Sequence, residues 1–391
     1  MNPLIIIGAG MAGFTLAREF RKLDKTTPLL MITADDGGFY SKPMLSNALA
    51  QNKAAAQLQT QTMAQMSAQL DCTILPRTVV QSLDPAAQTV SVSSADGSQT
   101  FGYSQLVLAL GAQAIRLSFG GDAADQVLSV NHLDDYAVFR QTLEQIPGKA
   151  RVALLGGGLI GCEFADDLAG AGYAVTVIDP NPLPLAALSP AAVGRGLQAA
   201  LATRGVHMQL GTTAQTIDHA GPALRLTLAS GQTLEADLVL SAVGLRADVR
   251  LAQAAGLRCE RGIVLDPYGQ TSAPHVFALG DCAQYTSSDG YSRTLPYIAP
   301  IMAAGRALAK TLSGTPTPID MKPAPVIVKT PSYPIALVAP APQLKGEWQC
   351  EPRESGVVCR FVDEAGRLAG FAMARQDAAT RSALMAELLA G

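Results

Sequence analysis

Two stretches of this chain carry the same hydrophobic rhythm. Leu4-Ile5-Ile6-Ile7 is a short apolar run that leads into Gly8-Ala9-Gly10-Met11-Ala12-Gly13 and a helical pattern through Phe20. Arg151-Val152-Ala153-Leu154-Leu155 leads likewise into Gly156-Gly157-Gly158-Leu159-Ile160-Gly161 and a helical pattern through Leu168. A second apolar run closes each copy, at Leu29 to Thr33 and at Ala174 to Ile178. Each copy reads as strand, glycine turn, helix, strand: one βαβ unit written twice. Val90 to Val92, Leu106 to Gly111, Leu224 to Leu228, Leu238 to Gly244 and Val276 to Asp281 read as further strands, and Pro300 to Leu312 as a helix. From Gly314 the composition shifts towards proline, and the rest reads as a small β-rich unit ending in a helix from Ala378 to Leu389.

The glycine turns carry the first chemistry. In G-x-G-x-x-G the first glycine makes the bend, the second lets backbone approach a pyrophosphate, and the third lets the helix pack on the strand. The pyrophosphate then meets free N–H groups at the helix N-terminus. One such turn is as often structural as functional. Two, each after a strand and before a helix, point to two dinucleotides. An acid about 20 residues further on binds the adenosine ribose. In the second copy this is Asp179, and the next basic residue is Arg195, so the second site is read as taking NAD(H) rather than NADP(H). In the first copy the acid is Asp35, with Thr33 and Ala34 beside it as hydroxyl and backbone alternatives.

Composition narrows the field. The 391 residues are 48% hydrophobic and 16% charged, so the chain folds, and a net charge of −3 does not suit a nucleic-acid binder. Only 5% are aromatic while Gly numbers 36, which favours an α/β scaffold. The six cysteines (72, 162, 259, 282, 350 and 359) include no C-x-x-C pair and no metal-ligand spacing, so they are expected as incidental buried thiols of a reducing cytoplasm. His132, His207, His219 and His275 are scattered, and no metal is expected. The uncharged N-terminus lacks the basic start of a signal peptide, and the uncharged run from Thr330 to Leu344 is broken by four prolines, so no membrane span is expected.

With Thr271-x-x-Pro274 leading into Val276-Phe277-Ala278-Leu279-Gly280-Asp281, the two turns resemble the glutathione-reductase-like flavoproteins that bind FAD and NAD(P)H. The resemblance implies two Rossmann-like domains and a small α+β C-terminal domain: residues 1–113 with 246–318 for FAD, 114–245 for NAD, and 319–391. It implies that Asp281 binds a ribitol hydroxyl, that Gly111 and Gly244 end the domain-crossing strands, and that the Val80 backbone holds adenine. Leu159 and Ile160 join the nicotinamide cofactor's site. Tyr40-Ser41-Lys42-Pro43-Met44-Leu45-Ser46 holds no redox cysteine, unlike the disulfide reductases, and is similar to flavin reductases of small iron proteins. Val328-Lys329-Thr330-Pro331 and the short C-terminal unit are similar to the bacterial rubredoxin–NAD reductases of alkane oxidation.

That resemblance implies electron transfer from NADH through FAD to rubredoxin, by a cytoplasmic monomer. A ferredoxin reductase of an oxygenase system is the near alternative; a signalling flavoprotein like the apoptosis-inducing factors is the distant one. Lys42 is expected at the flavin, paired with Glu163, as the catalytic pair. Lys329 is expected to face the flavin from the C-terminal side. A helix N-terminus stabilises the anion of a reduced flavin, which makes the Ile298 N–H a candidate contact. Residues 301–345 hold Arg306, Lys310, Lys322, Lys329 and Lys345 against Asp320 alone, a basic face expected to steer an acidic partner, with Lys53 joining it.

Overall fold

The structure is a computed structural model that describes residues 2–286 and 292–390. In chain order its principal elements are β1 (Leu4–Ile7), α1 (Met11–Leu23), β2 (Leu29–Ile32), β3 (Thr73–Leu75), β4 (Gln105–Leu108), β5 (Leu128–Ser129), β6 (Arg151–Leu155), α2 (Leu159–Gly170), β7 (Ala174–Asp179), α3 (Ala191–Thr203), β8 (His207–Leu210), β9 (Leu238–Ser241), β10 (Val276–Ala278), α4 (Ile298–Leu312), β11 (Val326–Val328), β12 (Ile335–Val338), β13 (Gly346–Arg353), β14 (Gly356–Asp363), β15 (Leu368–Ala374) and α5 (Ala378–Ala390). They divide into two compact units. The first comprises residues up to Ser41, Gln59–Gln113 and Leu245–Lys322; the second comprises Lys42–Leu58, Ala114–Gly244 and the chain from Pro323.

The first unit is built on a parallel sheet of order β10-β4-β1-β2-β3. All four residues of β1 and of β2 are buried, the unbroken apolar reading of a strand covered on both faces. Helices α1 and α4 pack on one another closely enough that a side chain on Gly305 would meet Thr15 Cγ2 at 2.9 Å. The second unit repeats the plan with order β5-β9-β6-β7-β8. The internal repeat goes further than the βαβ unit. Each copy also carries a three-stranded antiparallel insert, Val79–Gly102 in the first and Ala214–Ala236 in the second, just ahead of the strand that pairs with the first one.

The second unit also holds a five-stranded antiparallel sheet of order β11-β12-β15-β14-β13. One face packs on α5 through Ala336, Val338, Val358, Phe371, Met373 and Leu384. On α3, a side chain at Gly196 would overlap the Tyr333 hydroxyl. The expectation of six buried thiols fails here. A two-residue turn at Glu354-Ser355 sets Cys350 opposite Cys359 across β13 and β14, Cα atoms 4.0 Å apart, and the two are disulfide-bonded. Hairpin register, not C-x-x-C spacing, makes this pair. No helix among the described residues is long and apolar enough to cross a membrane, and no described cluster has the ligands for a metal.

Candidate dinucleotide sites and a buried carboxylate cluster

The two glycine turns are built alike. Gly8 and Gly156 take φ of +110° and +105°, and a side chain on either would strike the carbonyl of Ala109 or Ala242 on the neighbouring strand. Gly13 and Gly161 are buried where a Cβ would overlap the carbonyl of the first glycine in each turn. Gly10 and Gly158 differ: both are exposed helix N-caps with nothing within 4 Å of a Cβ position. The first and third glycines are thus required by packing, and the second leaves its backbone open. In each helix the first backbone bond back to the cap comes from Phe14 N or Cys162 N, so Met11, Ala12 and Gly13, like Leu159, Ile160 and Gly161, present N–H groups with no partner inside the helix. A pyrophosphate fits both turns.

Around the first turn, Ala9 is buried beside the open Gly10 and Ala34 is exposed at the end of β2. Thr33 Oγ1 donates to Asp35 Oδ1 at 2.7 Å, and Gly37 N donates to the same oxygen at 2.9 Å. Asp35 therefore also shapes its own loop. Thr78 N donates to Thr33 O at 2.9 Å, which sets the strand carrying Val80 beside Thr33-Ala34. Gly280, just before Asp281, takes φ +81°, and a side chain there would meet Ala12 Cβ at 2.7 Å. That close approach delivers Asp281 to the start of α1. α4 begins at Ile298 with no side-chain cap from Tyr297. Gly111, at φ +71°, accepts from Asp248 N at 3.0 Å.

In the second unit Asp179 closes β7, buried, with Oδ2 accepting from Gly157 N at 2.6 Å and Oδ1 from Asn181 N and Nδ2 at 2.8 Å. Its carboxylate is pinned against the glycine turn. Gly244, at φ +115°, accepts from Ile115 N at 3.0 Å.

One turn into α2 lies Glu163, fully buried. The sequence reading expects Lys42 as its partner; the structure pairs it with Lys329. Lys329 Nζ pairs with Oε2, and Lys329 N donates to Oε1 at 2.8 Å. Ser46 Oγ donates to Oε2 at 2.5 Å. Lys42 Nζ donates to Asn131 Oδ1 at 2.7 Å. Asp166 accepts from Ser332 N at 2.9 Å and faces Arg204 Nε at 3.1 Å, and Asp167 accepts from the N–H groups of Leu49 and Ala50 at 2.8 and 2.9 Å. Three successive acids on one helix thus anchor the 46–50 and 329–332 segments. Burial pushes the Asp167 carboxyl up, against the pull of those N–H groups. Sequence reasoning missed Ser46, Asn131 and the two aspartates as partners; Ser46 stood inside the quoted Tyr40–Ser46 segment, but nothing local named its acceptor.

The thiols near the turns are structural. Cys162 is buried and its thiol donates to Gly157 O at 3.3 Å; burial pushes it far up. Burial pushes Cys282 up to about 12. Neither is a thiolate at neutral pH.

The basic face expected over residues 301–345 is smaller than its charge count. Lys329 is spent on Glu163, and Lys322 lies 3.7 Å from Asp320. Arg306, Lys310 and Lys345 remain exposed.

A family model described as pyridine nucleotide-disulphide oxidoreductase matches residues 2–305. The chain belongs to this family. A second model, described as a rubredoxin binding C-terminal domain, matches residues 318–388. The chain is 43% identical over 376 residues to a rubredoxin-NAD(+) reductase of Acinetobacter baylyi, covering 95% of this chain and 94% of that protein. It is 41% identical to a nitric oxide reductase FlRd-NAD(+) reductase of Aeromonas hydrophila, with 95% and 92% covered. Among solved structures it is similar to a ferredoxin reductase from Rhodopseudomonas palustris, at TM-score 0.88 and 25% identity over 98% of this chain and 93% of that one.

Proposed function

We propose that this chain catalyses the rubredoxin–NAD(+) reductase reaction, taking electrons from NADH through FAD to rubredoxin. The observation that carries this is the five-stranded C-terminal unit, matched as a rubredoxin binding domain, on a chain with two dinucleotide turns. FAD, when bound, accepts a hydride and delivers electrons one at a time. The chain's residues bind, orient and balance charge. Gly8 to Gly13 and the start of α1 take the flavin nucleotide's pyrophosphate, with Thr33, Ala34, Asp35 and Val80 at its adenosine end. Gly156 to Ile160 take that of NADH, and Asp179 accepts from its ribose hydroxyl. Lys42, Lys329 and the Ile298 N–H supply positive potential to the flavin ring, and Glu163 holds the Lys329 ammonium in one place. Gly111 and Gly244 end the strands that connect the parts.

Residues 1–113 with 246–318 act as the flavin part, 114–245 as the nicotinamide part and 319–391 as the partner-binding part, in a cytoplasmic monomer serving alkane oxidation. Purified protein should be yellow, bleach with NADH, and then reduce rubredoxin far faster than ferredoxin. Equal rates with both would overturn the choice of partner. The Aeromonas relative favours a second reading, in which the acceptor is a nitric oxide reductase of the FlRd kind; a higher kcat/KM for that acceptor than for rubredoxin would select it. Exposed charge on Arg306, Lys310 and Lys345 adds a salt signature. Screening shortens to about 3 Å at 1 M salt, so rubredoxin reduction should slow with salt while bleaching by NADH changes little.

Asp281 is assigned to the ribitol of FAD. Charge-assisted hydrogen bonds contribute about 1.5–3 kcal/mol. Asp281→Ala is therefore expected to purify with most of its flavin missing, read as the ratio of visible to ultraviolet absorbance. A fully yellow variant would remove Asp281 from the site.

A further inference from the structure

Strand β13 is the edge of the C-terminal sheet, paired only with β14, and most of its residues are exposed. Side chains alternate along a strand, so Trp348 and Cys350 share one face of β13. Opposite them Phe361 and Cys359 share the matching face of β14. Trp348 meets Phe361 edge-on, ring centroids 5.4 Å apart. Val358 and Arg360 take the other face, where Val358 packs with Leu384 and Arg360 Nε lies 3.5 Å from Glu387 of α5. The disulfide therefore lies on the sheet face away from α5, with Cys350 exposed and Cys359 buried.

As a staple this bond closes only a short loop. A disulfide stabilises chiefly by closing a loop in the unfolded chain, less for a shorter loop, and here the sequence separation is 9. Its asymmetry of exposure is what a staple does not need. The exposed residue of the pair is Cys350, so Cys350 is the side from which a soluble thiolate would approach. The described free cysteines offer no comparable site: three are buried, and the fourth, Cys259, is half-buried with its thiol pushed up by burial.

We propose that Cys350–Cys359 is a reversible thiol-modification site, exchanged at Cys350 by a low-molecular-weight thiol of the glutathione type, and that its state sets how firmly the β13 edge is held. A thiolate attacks Cys350 Sγ, the Sγ–Sγ bond breaks, and Cys359 leaves as a thiolate that takes up a proton. A second thiol releases the mixed disulfide. The net reaction consumes one protein disulfide and two thiols and yields one protein dithiol and one oxidised disulfide of the small thiol, a two-electron, two-proton exchange. The oxidised small disulfide drives it backwards, so the pair follows the compartment's thiol poise.

The chain supplies its own reporter, because Trp348 is its single tryptophan and a neighbouring disulfide quenches indole emission. The folded protein is incubated with millimolar reduced glutathione, trapped with iodoacetamide, and mapped by mass spectrometry. The expected result is a glutathione adduct on Cys350, then carbamidomethyl on both cysteines, with a rise in Trp348 emission. Oxidised glutathione should reverse all three. Cys350→Ser and Cys350→Ala should each show the raised emission from the start and no response to either reagent. Hydrogen exchange of the β13 amides should quicken in the reduced protein and in both variants. A bond that survives millimolar reduced glutathione in the folded protein, an adduct on Cys359, or β13 amides that exchange equally in both states would overturn the proposal.

Discussion

Lys329→Met is expected to lose both folding stability and the rate at which NADH bleaches the flavin. Glu163 is fully buried, and Lys329 is its cation, supplying both a side-chain pair and a backbone N–H bond. Removing one partner of a buried pair costs about 3–5 kcal/mol, because the other charge is left uncompensated. If Lys329 also supplies positive potential to the reduced flavin, the rate should fall by roughly 10²-fold, as for loss of one preorganised electrostatic donor. The double variant Lys329→Met/Glu163→Gln separates the two effects. It removes the orphaned charge, keeps an acceptor for the residue 329 N–H and turns an N–H donor towards Ser46 Oγ, which can accept it and donate to Pro43 O, so chemical denaturation should recover most of the lost stability. Stopped-flow bleaching by NADH should stay slow. A double variant with both restored would make the pair scaffolding only.

The second large effect concerns the choice of nicotinamide cofactor. Asp179 cannot swing aside, since Gly157 N holds one of its oxygens and Asn181 the other. A 2′-phosphate placed at the ribose would meet a fixed, buried carboxylate. Like-charge juxtaposition at an interface costs several kcal/mol, so kcat/KM for NADH should exceed that for NADPH by about 10²-fold or more, at about 1.4 kcal/mol per tenfold. Asp179→Asn keeps an oxygen for Gly157 N and removes the charge. It should shrink the gap to about tenfold at some cost in melting temperature, because its Nδ2 cannot accept from Asn181, whereas Asp179→Ala should shrink the gap and lose the hold on Gly157 N as well. Similar kcat/KM for both cofactors in the unaltered protein would take Asp179 away from the ribose.

These residues also show where sequence reasoning runs out. The turns were legible because their requirements are local: a positive φ at Gly8 and Gly156, close packing at Gly13 and Gly161, and open backbone at Gly10 and Gly158 all fall within six residues. The antiparallel inserts were read only at Val90 to Val92 and Leu224 to Leu228. Outer strands such as Gly97–Gly102 are mostly exposed and carry Ser, Gln and Thr, so hydrophobic alternation hardly registers there. The partner of Glu163 was not legible at all. Lys42 and Lys329 are equally plausible cations by residue type, and the choice is made by packing between segments 166 residues apart. The disulfide fell to the same kind of gap: a two-residue turn decides which cysteine faces which, and the spacing alone does not show the turn.

The two parallel sheets share a strand order but not a schedule of synthesis. β5 to β9, which complete the second, lie between Leu128 and Ser241, so that sheet can close as soon as this stretch leaves the ribosome. The first sheet has four strands in place by Leu108 but waits for β10, which begins at Val276. During that interval β4 is an apolar edge with no neighbour on one side, the state in which strands recruit the wrong partner. Of the two parallel sheets, the one begun first is therefore the one completed last, and its edge needs protection for longer than that of the second.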